Sequence, residues 1–412
     1  MKVVHIASSM FGGAGIGMMR YHDSLLKNSV DSRVLVTDRS TINSTTAILS
    51  RQTRSLAKRL SSRLGFMSFD EKMYKRIDEL DRQFKDKAQY ELFSTPFSDY
   101  CPEQHPWIQE ADIVNIHWIA GVLDWQRFFK AVNKPIVFTL HDQQHYLGGF
   151  HYSLDANNNP HLAQIDAEVL SIKKSTLGDR KVAVIANSQW NAQEARKSGF
   201  FSPETLIETI YYPLDTNIFQ PRPKSAAKQT FGIDPSCKVI GFACENLNNY
   251  RKGFSDLVEA ISLLPDSFRE NITLVSFGRD PDIAIRNKIA MPWVHLGFLN
   301  GDTLKVAAYS AMDVFVIPSR AEAFGQTALE AIACGITVLG TNVGGIPEAI
   351  CLNKNSKLYE SGNTKELASF LQNEILNECV SSEEICLDHL NLKHSSELCT
   401  ENHLKLYELL LL

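Results

Sequence analysis

The feature that most limits what this chain can fold into is a repeated alternation of short β-branched, apolar runs with amphipathic helical stretches. In the first half the runs are KVVHIA (2–7), RVLVT (33–37), DIVNIHW (112–118), PIVFTL (135–140) and VAVIAN (182–187). The second half continues with KVIGFA (238–243), ITLVSF (272–277), WVHLGF (293–298), DVFVIP (313–318) and ITVLG (336–340). Near-continuous apolar runs suit strands buried on both faces, and strands that alternate with helices pair in parallel. Between them, Phe254, Leu257, Val258, Ile261 and Leu264 fall on one face of a helix. The expectation is an α/β protein built on parallel sheets.

At 412 residues the chain is too long for one ordinary core, so two domains are expected. The proline-rich stretch YYPLDTNIFQPRPKSAAKQ (211–229) has little periodicity and reads as the linker. This divides the chain into a first domain at 1–215 and a second at 216–394, with a C-terminal helix over 395–412 whose apolar tail LYELLLL must be covered. Residues 41–100 break the alternation and read as an insertion. Within it, Arg51, Arg54, Lys58, Arg59 and Arg63 accompany leucines at every fourth position. That pattern fits either a basic amphipathic helix on an anionic membrane surface or a solvated helix packed by its leucines.

Composition excludes several classes. Hydrophobic residues at 44% and charged residues at 22% describe a globular protein, and a formal net charge of −5 suggests no nucleic-acid partner. The eight cysteines are scattered without zinc spacing, and read as reduced thiols of a cytoplasmic protein. The amino terminus enters a strand pattern without a signal-peptide core, and no apolar stretch is long enough to span a bilayer.

Four segments could carry chemistry. In SSMFGGAGIGMMRYHDSLL, Gly12, Gly13, Gly15 and Gly17 sit between a strand and a helix, where backbone amides can approach an anion. The spacing departs from the dinucleotide-binding fingerprint, although Asp38 closes the second strand. In NYRKGFSDL, Arg251 and Lys252 stand directly before a helix expected near Phe254. Cations there oppose the helix dipole unless an anion occupies the helix end, the other reading being two solvated loop residues. In SRAEAFGQTALEAIACG, Glu322 falls in a strand-to-helix loop and Glu330 about one turn into a helix starting near Gln326. In TLHDQQHYLGGFHYS, His141, Asp142, His145 and His151 gather after a strand, without metal-binding spacing. A neutral His141 at the strand end could donate a hydrogen bond to a sugar or phosphate, whereas His117 and Trp118 read more as core or wall than as catalyst.

EAFGQTALEAIACG followed by TNVGGIPE resembles the E-x7-E signature of the retaining GT-B glycosyltransferases of family 4. RKGFSDLVEAI, FGGAG, DIVNIHWI and the His-Asp loop occur in the expected order around it, so the likeness extends over essentially the whole chain and is strongest to bacterial members that build surface polysaccharides. The resemblance implies two Rossmann-like domains facing across a cleft, with the nucleotide held mainly by the second and the last helix crossing back to the first. It implies transfer of a hexose from a nucleoside diphosphate sugar to a saccharide or lipid-linked saccharide, without a metal cofactor. By the same resemblance Glu330 takes the ribose hydroxyls, Lys252 with Arg251 takes the diphosphate, and Glu322 with the amides of Phe324, Gly325 and Gln326 holds the sugar. Gly13 lets the first loop approach the donor, His141 meets the transferring sugar, and His117, Trp118, Asp142 and His145 lie toward the acceptor. The chain departs from the pattern at Leu247, where many relatives carry a second phosphate-binding arginine, and in the loop after His141. Three other readings stay open: a sugar-nucleotide epimerase, a non-catalytic sugar-nucleotide-binding protein and a nicotinamide-dependent oxidoreductase.

Overall fold

The computed structural model describes residues 1–38, 42–52, 67–84, 90–289, 291–376 and 387–412. These residues form two compact units: Met1–Tyr211 with Cys399–Leu412, and Tyr212–Leu398.

The first unit holds a sheet of β1 (Lys2–Ile6), β2 (Asp31–Val36), β3 (Thr46–Ile48), β4 (Ile113–Ile116), β5 (Ile136–Leu140), β6 (Val182–Ala186) and β7 (Leu206–Thr209), in the order β3-β2-β1-β4-β5-β6-β7. Every pairing is parallel. The central strands are buried at every position of β4, β5 and β6, as their largely apolar runs require, and the two polar members, Asn115 and Thr139, hydrogen bond to each other. Trp125, Phe128, Phe129 and Phe138 fill the layer between the sheet and the helices covering one face.

The second unit repeats the winding with β8 (Lys238–Asn246), β9 (Ile272–Arg279), β10 (Trp293–His295), β11 (Val314–Ile317), β12 (Thr337–Thr341) and β13 (Lys357–Tyr359), ordered β10-β9-β8-β11-β12-β13 and again wholly parallel. The helix Phe254–Ser262 turns the stripe Leu257, Val258 and Ile261 onto this sheet, and Leu247 packs in the same core. The fold is therefore α/β with two Rossmann-like parallel sheets. In each, the strand order reverses beside the first strand, at β1/β4 and at β8/β11, and the loops leaving the carboxyl ends of those strands are where open α/β sheets bind ligands.

The structure corrects four local expectations. The stretch 41–100 is not wholly an insertion, because Thr46–Ile48 forms the edge strand β3. The linker ends early, since Lys224–Thr230 is helical and Lys224 and Lys228 both pair with Asp313. The glycine run is not a loop: the helix Gly12–Lys27 contains all four glycines. An added Cβ at Gly15 would stand 2.4 Å from the Met10 carbonyl carbon, so that glycine serves the close passage of helix over strand exit. WVHLGF is a strand only over Trp293–His295. The basic segment lies outside the described residues apart from Arg51, whose guanidinium stacks over the Tyr100 ring.

The C-terminal helix Ser396–Leu411 is a structural part of the first unit from Cys399 onward. Thr400 hydrogen bonds to Ser24, the Tyr407 hydroxyl accepts from the Asn115 amide, and His403 lies edge-on to Tyr21. Leu406, Tyr407 and Leu410 are buried, while Leu409, Leu411 and Leu412 stay exposed. No helix among the described residues is long and apolar enough to cross a membrane.

Candidate functional site

In the second unit the chain leaves β8 through a short 3-10 turn, Tyr250–Lys252, and enters the helix Phe254–Ser262 at Gly253. Gly253 has φ +67°, and a Cβ there would lie 1.9 Å from the Pro318 carbonyl oxygen, so only glycine lets this turn lie against the end of β11. The turn delivers its two cations to one carboxylate. Lys252 Nζ is 2.5 Å from Glu322 Oε2, and Arg251 Nη1 is 3.7 Å from the same oxygen. Arg251 is buried and also donates to the Ala321 carbonyl at 2.9 Å. The solvated-loop reading of these two residues is thus ruled out for Arg251.

Glu322 is fixed from two sides. The Arg320 amide donates to the Arg251 carbonyl, and its guanidinium pairs with Asp256 and lies over the Tyr250 ring, 3.9 Å from its centroid. On the other side the Gly344-Gly345 pair after β12 clasps the loop: the Gly345 amide donates to the Glu322 carbonyl, and a Cβ on Gly344 would meet that oxygen at 1.7 Å. Sequence reasoning gave the two glycines no task, although a Gly-Gly at a strand exit is itself a sign of close backbone approach.

The helix Gln326–Ala333 starts where expected, with Gly325 at φ +102° as its N-cap and Gly335 at φ +86° beyond its end. The first-turn amides point back along the loop that holds Glu322, so this edge of the sheet gathers two cations, one carboxylate and a positive helix end. Phe324 is buried beneath it, edge-on to Tyr212 with ring centroids 5.8 Å apart. Glu330 is buried one turn in and accepts a hydrogen bond from the Tyr309 hydroxyl at 2.9 Å. Tyr309 lies on the separate helix Asp302–Ser310, and no local pattern could have singled it out.

In the first unit, His117 and His141 leave the ends of β4 and β5. His117 Nδ1 is 2.8 Å from His141 Nε2, and His117 Nε2 is 2.8 Å from His5 Nδ1 on β1. Burial lowers all three, His141 to about 4 and the other two well below the usual imidazole range, so they are neutral at pH 7. Trp118 donates to Asp142 at 2.8 Å, and His151 Nδ1 is 2.8 Å from the same carboxylate oxygen. Burial alone would raise the Asp142 carboxyl, but His151 and the Gln144 amide outweigh it and the net shift is downward. His145 is fully buried against Phe138, with burial pushing it down to about 3.

The loop carrying these groups is organised by a residue the sequence did not mark. Buried Lys173 donates to the carbonyls of Gln144 (2.8 Å), Leu147 (3.2 Å) and Gly148 (2.6 Å). Gly13 sits exposed in the first helical turn, and nearby Ser9 donates to Asp38. Among the described residues no three His, Cys, Asp or Glu side chains are grouped to hold a metal ion.

Residues 237–375 match the family model described as glycosyl transferases group 1. An uncharacterized glycosyltransferase of Methanocaldococcus jannaschii is 29% identical over 262 residues, covering 59% of this chain and 60% of that protein. The D-inositol 3-phosphate glycosyltransferase of Mycolicibacterium gilvum is 26% identical over 251 residues, covering 58% of this chain and 53% of that protein. The aligned part thus spans under two thirds of either relative. In three dimensions the likeness extends over the chain: Anabaena HepE in complex with UDP and glucose superposes with a TM-score of 0.69 at 16% identity, covering 98% of each chain. That likeness shows a shared GT-B fold.

Proposed function

We propose that this protein is a glycosyltransferase that moves a hexose from a nucleoside diphosphate sugar to a hydroxyl acceptor with retention of anomeric configuration. The observation that carries the reading is the convergence of Arg251 and Lys252 on Glu322 beside the start of the helix Gln326–Ala333. It falls inside the segment that matches glycosyl transferases group 1, and HepE, of the same fold, is described with UDP and glucose.

The chemistry asks for stabilisation of a departing diphosphate while positive charge develops on the sugar. Fixed cations and helix-end amides aimed at the leaving group meet that demand in a desolvated site. An arriving diphosphate competes with Glu322 for Lys252 and Arg251, and frees that carboxylate for sugar hydroxyls. Glu330, held by Tyr309, takes the ribose, the amides of Phe324 to Gln326 face the phosphates and sugar, and Gly13 and His141 keep the roles that the resemblance gives them. Lys252 and Arg251 take the phosphate charge in this reading, and Leu247, committed to the core, adds none.

The donor we favour is a UDP-linked hexose, with a GDP-linked one as the second choice. The acceptor is read as a saccharide or lipid-linked saccharide of a surface polysaccharide, used in the cytoplasm at the inner membrane face, with residues 51–64 as the membrane contact. Calorimetry with UDP-glucose, GDP-mannose and the bare diphosphates tests the first step. Binding of a sugar nucleotide that Lys252→Ala weakens about ten- to a hundredfold supports the reading, since a charge-assisted contact is worth roughly 1.5–3 kcal/mol. Absence of binding by every member of the panel overturns it. Flotation with anionic vesicles that is indifferent to charge reversal at Arg54, Lys58, Arg59 and Arg63 removes the membrane contact.

A further inference from the structure

Arg320, at the exit of β11, spends its contacts on one short stretch of chain, Tyr250 to Asp256. Its backbone amide donates to the Arg251 carbonyl at 2.7 Å, and Nη1 donates to the Tyr250 carbonyl at 2.8 Å. Nη2 donates to the Ser255 hydroxyl at 3.2 Å and pairs with the buried Asp256 carboxylate in the first turn of the helix Phe254–Ser262. The guanidinium carbon lies 3.9 Å from the centroid of the Tyr250 ring. These contacts bracket Arg251 and Lys252 on both sides along the chain.

Two neighbouring cations ahead of a helix start repel each other and the positive helix end. Glu322 faces both of them in this structure. On the proposed function a diphosphate takes that place, so Glu322 is no longer the group that holds them when the chemistry happens. The turn is a single 3-10 turn, and it is followed by Gly253 in the left-handed region, where glycine has other conformations open to it. The partners of Arg320 are two backbone carbonyls, a ring and two side chains of the following helix, and a diphosphate displaces none of them. Only a planar fork can meet a carbonyl, a hydroxyl and a carboxylate while stacking on a ring, so lysine is no substitute. Asp256 and Tyr250 also take up the charge of Arg320.

We infer that Arg320 is a positioning residue, which keeps Arg251 and Lys252 aimed at the diphosphate once Glu322 lets go and does not itself contact the diphosphate. The ligand half of this inference rests on the proposed function; the clasp on Tyr250 to Asp256 does not.

The test joins hydrogen exchange of the full-length protein, read by mass spectrometry, with calorimetric titration of UDP. Arg320→Met should raise exchange across residues 250–253 while β9 keeps its rate, and should weaken UDP about tenfold, with Arg320→Lys nearly as damaging. Asp256→Asn loosens the clasp and should weaken UDP about threefold, whereas a guanidinium that bound phosphate directly would be freed by this change and bind UDP more tightly. In a Lys252→Ala background, Arg320→Met should cost no more than about threefold, because most of its effect passes through Lys252. Unchanged exchange across 250–253, wild-type affinity in Arg320→Lys, tighter UDP binding by Asp256→Asn, or an equal loss with and without Lys252 each overturns the inference. Raised exchange in Arg320→Met with no UDP binding by the wild type would overturn the proposed function and leave the clasp standing.

Discussion

Lowering the pH to about 5 should unfold the first unit, and the buried imidazoles set the size of the effect. Burial lowers His22, His141 and His403 to about 4 and His145 to about 3, against 6.5 in an unfolded chain. A folded pKa below the unfolded one means the unfolded chain binds more protons between the two values, so stability is complete above about pH 6.5 and is lost as pH falls toward 4. At pH 5 each of the four costs about 1.5 pH units at about 1.4 kcal/mol per unit, or about 2 kcal/mol, giving about 8 kcal/mol together. Folded domains are stable by only about 5–15 kcal/mol. His5 and His117 shift in the same direction and add to the loss. Denaturant unfolding followed by circular dichroism between about pH 7.5 and pH 5 should show stability falling by several kcal/mol, with uptake of about six protons on unfolding at about pH 5 measured calorimetrically in buffers of different ionisation enthalpy. Stability that stays within about 2 kcal/mol over that range would refute the claim that these histidines are neutral.

Glu322→Gln keeps the shape but removes the charge facing Lys252 and Arg251, so it should tighten a bare nucleoside diphosphate in calorimetry while cutting transfer at least about tenfold. Gly344→Ala places a Cβ 1.7 Å from the Glu322 carbonyl at a φ of +57°, and a loss of roughly 2 kcal/mol or more in thermal unfolding, with lost turnover, is expected. Tyr309→Phe should weaken nucleotide binding less than Glu330→Ala does, because the carboxylate remains and only its orienting hydroxyl is gone; equal losses in titration would contradict that order. Lys173→Met strands three carbonyls, which should cost roughly 3 kcal/mol and raise hydrogen exchange across residues 144–148.

The sequence announced the central strands because a strand buried on both faces is apolar at nearly every position: β6 is so throughout, and β5 departs only at Thr139, whose hydroxyl donates to Asn115. The strands that escaped notice, β3, β7 and β13, are short and half exposed, and a run such as LIET carries no such mark. The helix start at Gln326 was legible from local chemistry, since a phenylalanine-glycine break ahead of an alanine-rich stretch leaves few other places to begin. What the site does with its residues was less visible. Glu322 and Lys252 are 70 positions apart and Tyr309 and Glu330 are 21 apart, so only the fold brings them together. His5 stood in plain view inside KVVHI, but its meaning depends on His117, 112 residues away.

Thr400, His403 and Tyr407 pack into the first unit, which therefore cannot close until the last stretch of this sequence has left the ribosome. Residues 1–211 wait while the whole of 212–398 is made, a delay on the order of 10–40 s at ordinary rates of synthesis. During that time the seats of Leu406, Tyr407 and Leu410 lie open as an apolar groove on a nascent chain. The return of the chain to its beginning thus sets the order of assembly: the second unit can fold as it emerges, while the first is complete only when the helix Ser396–Leu411 arrives.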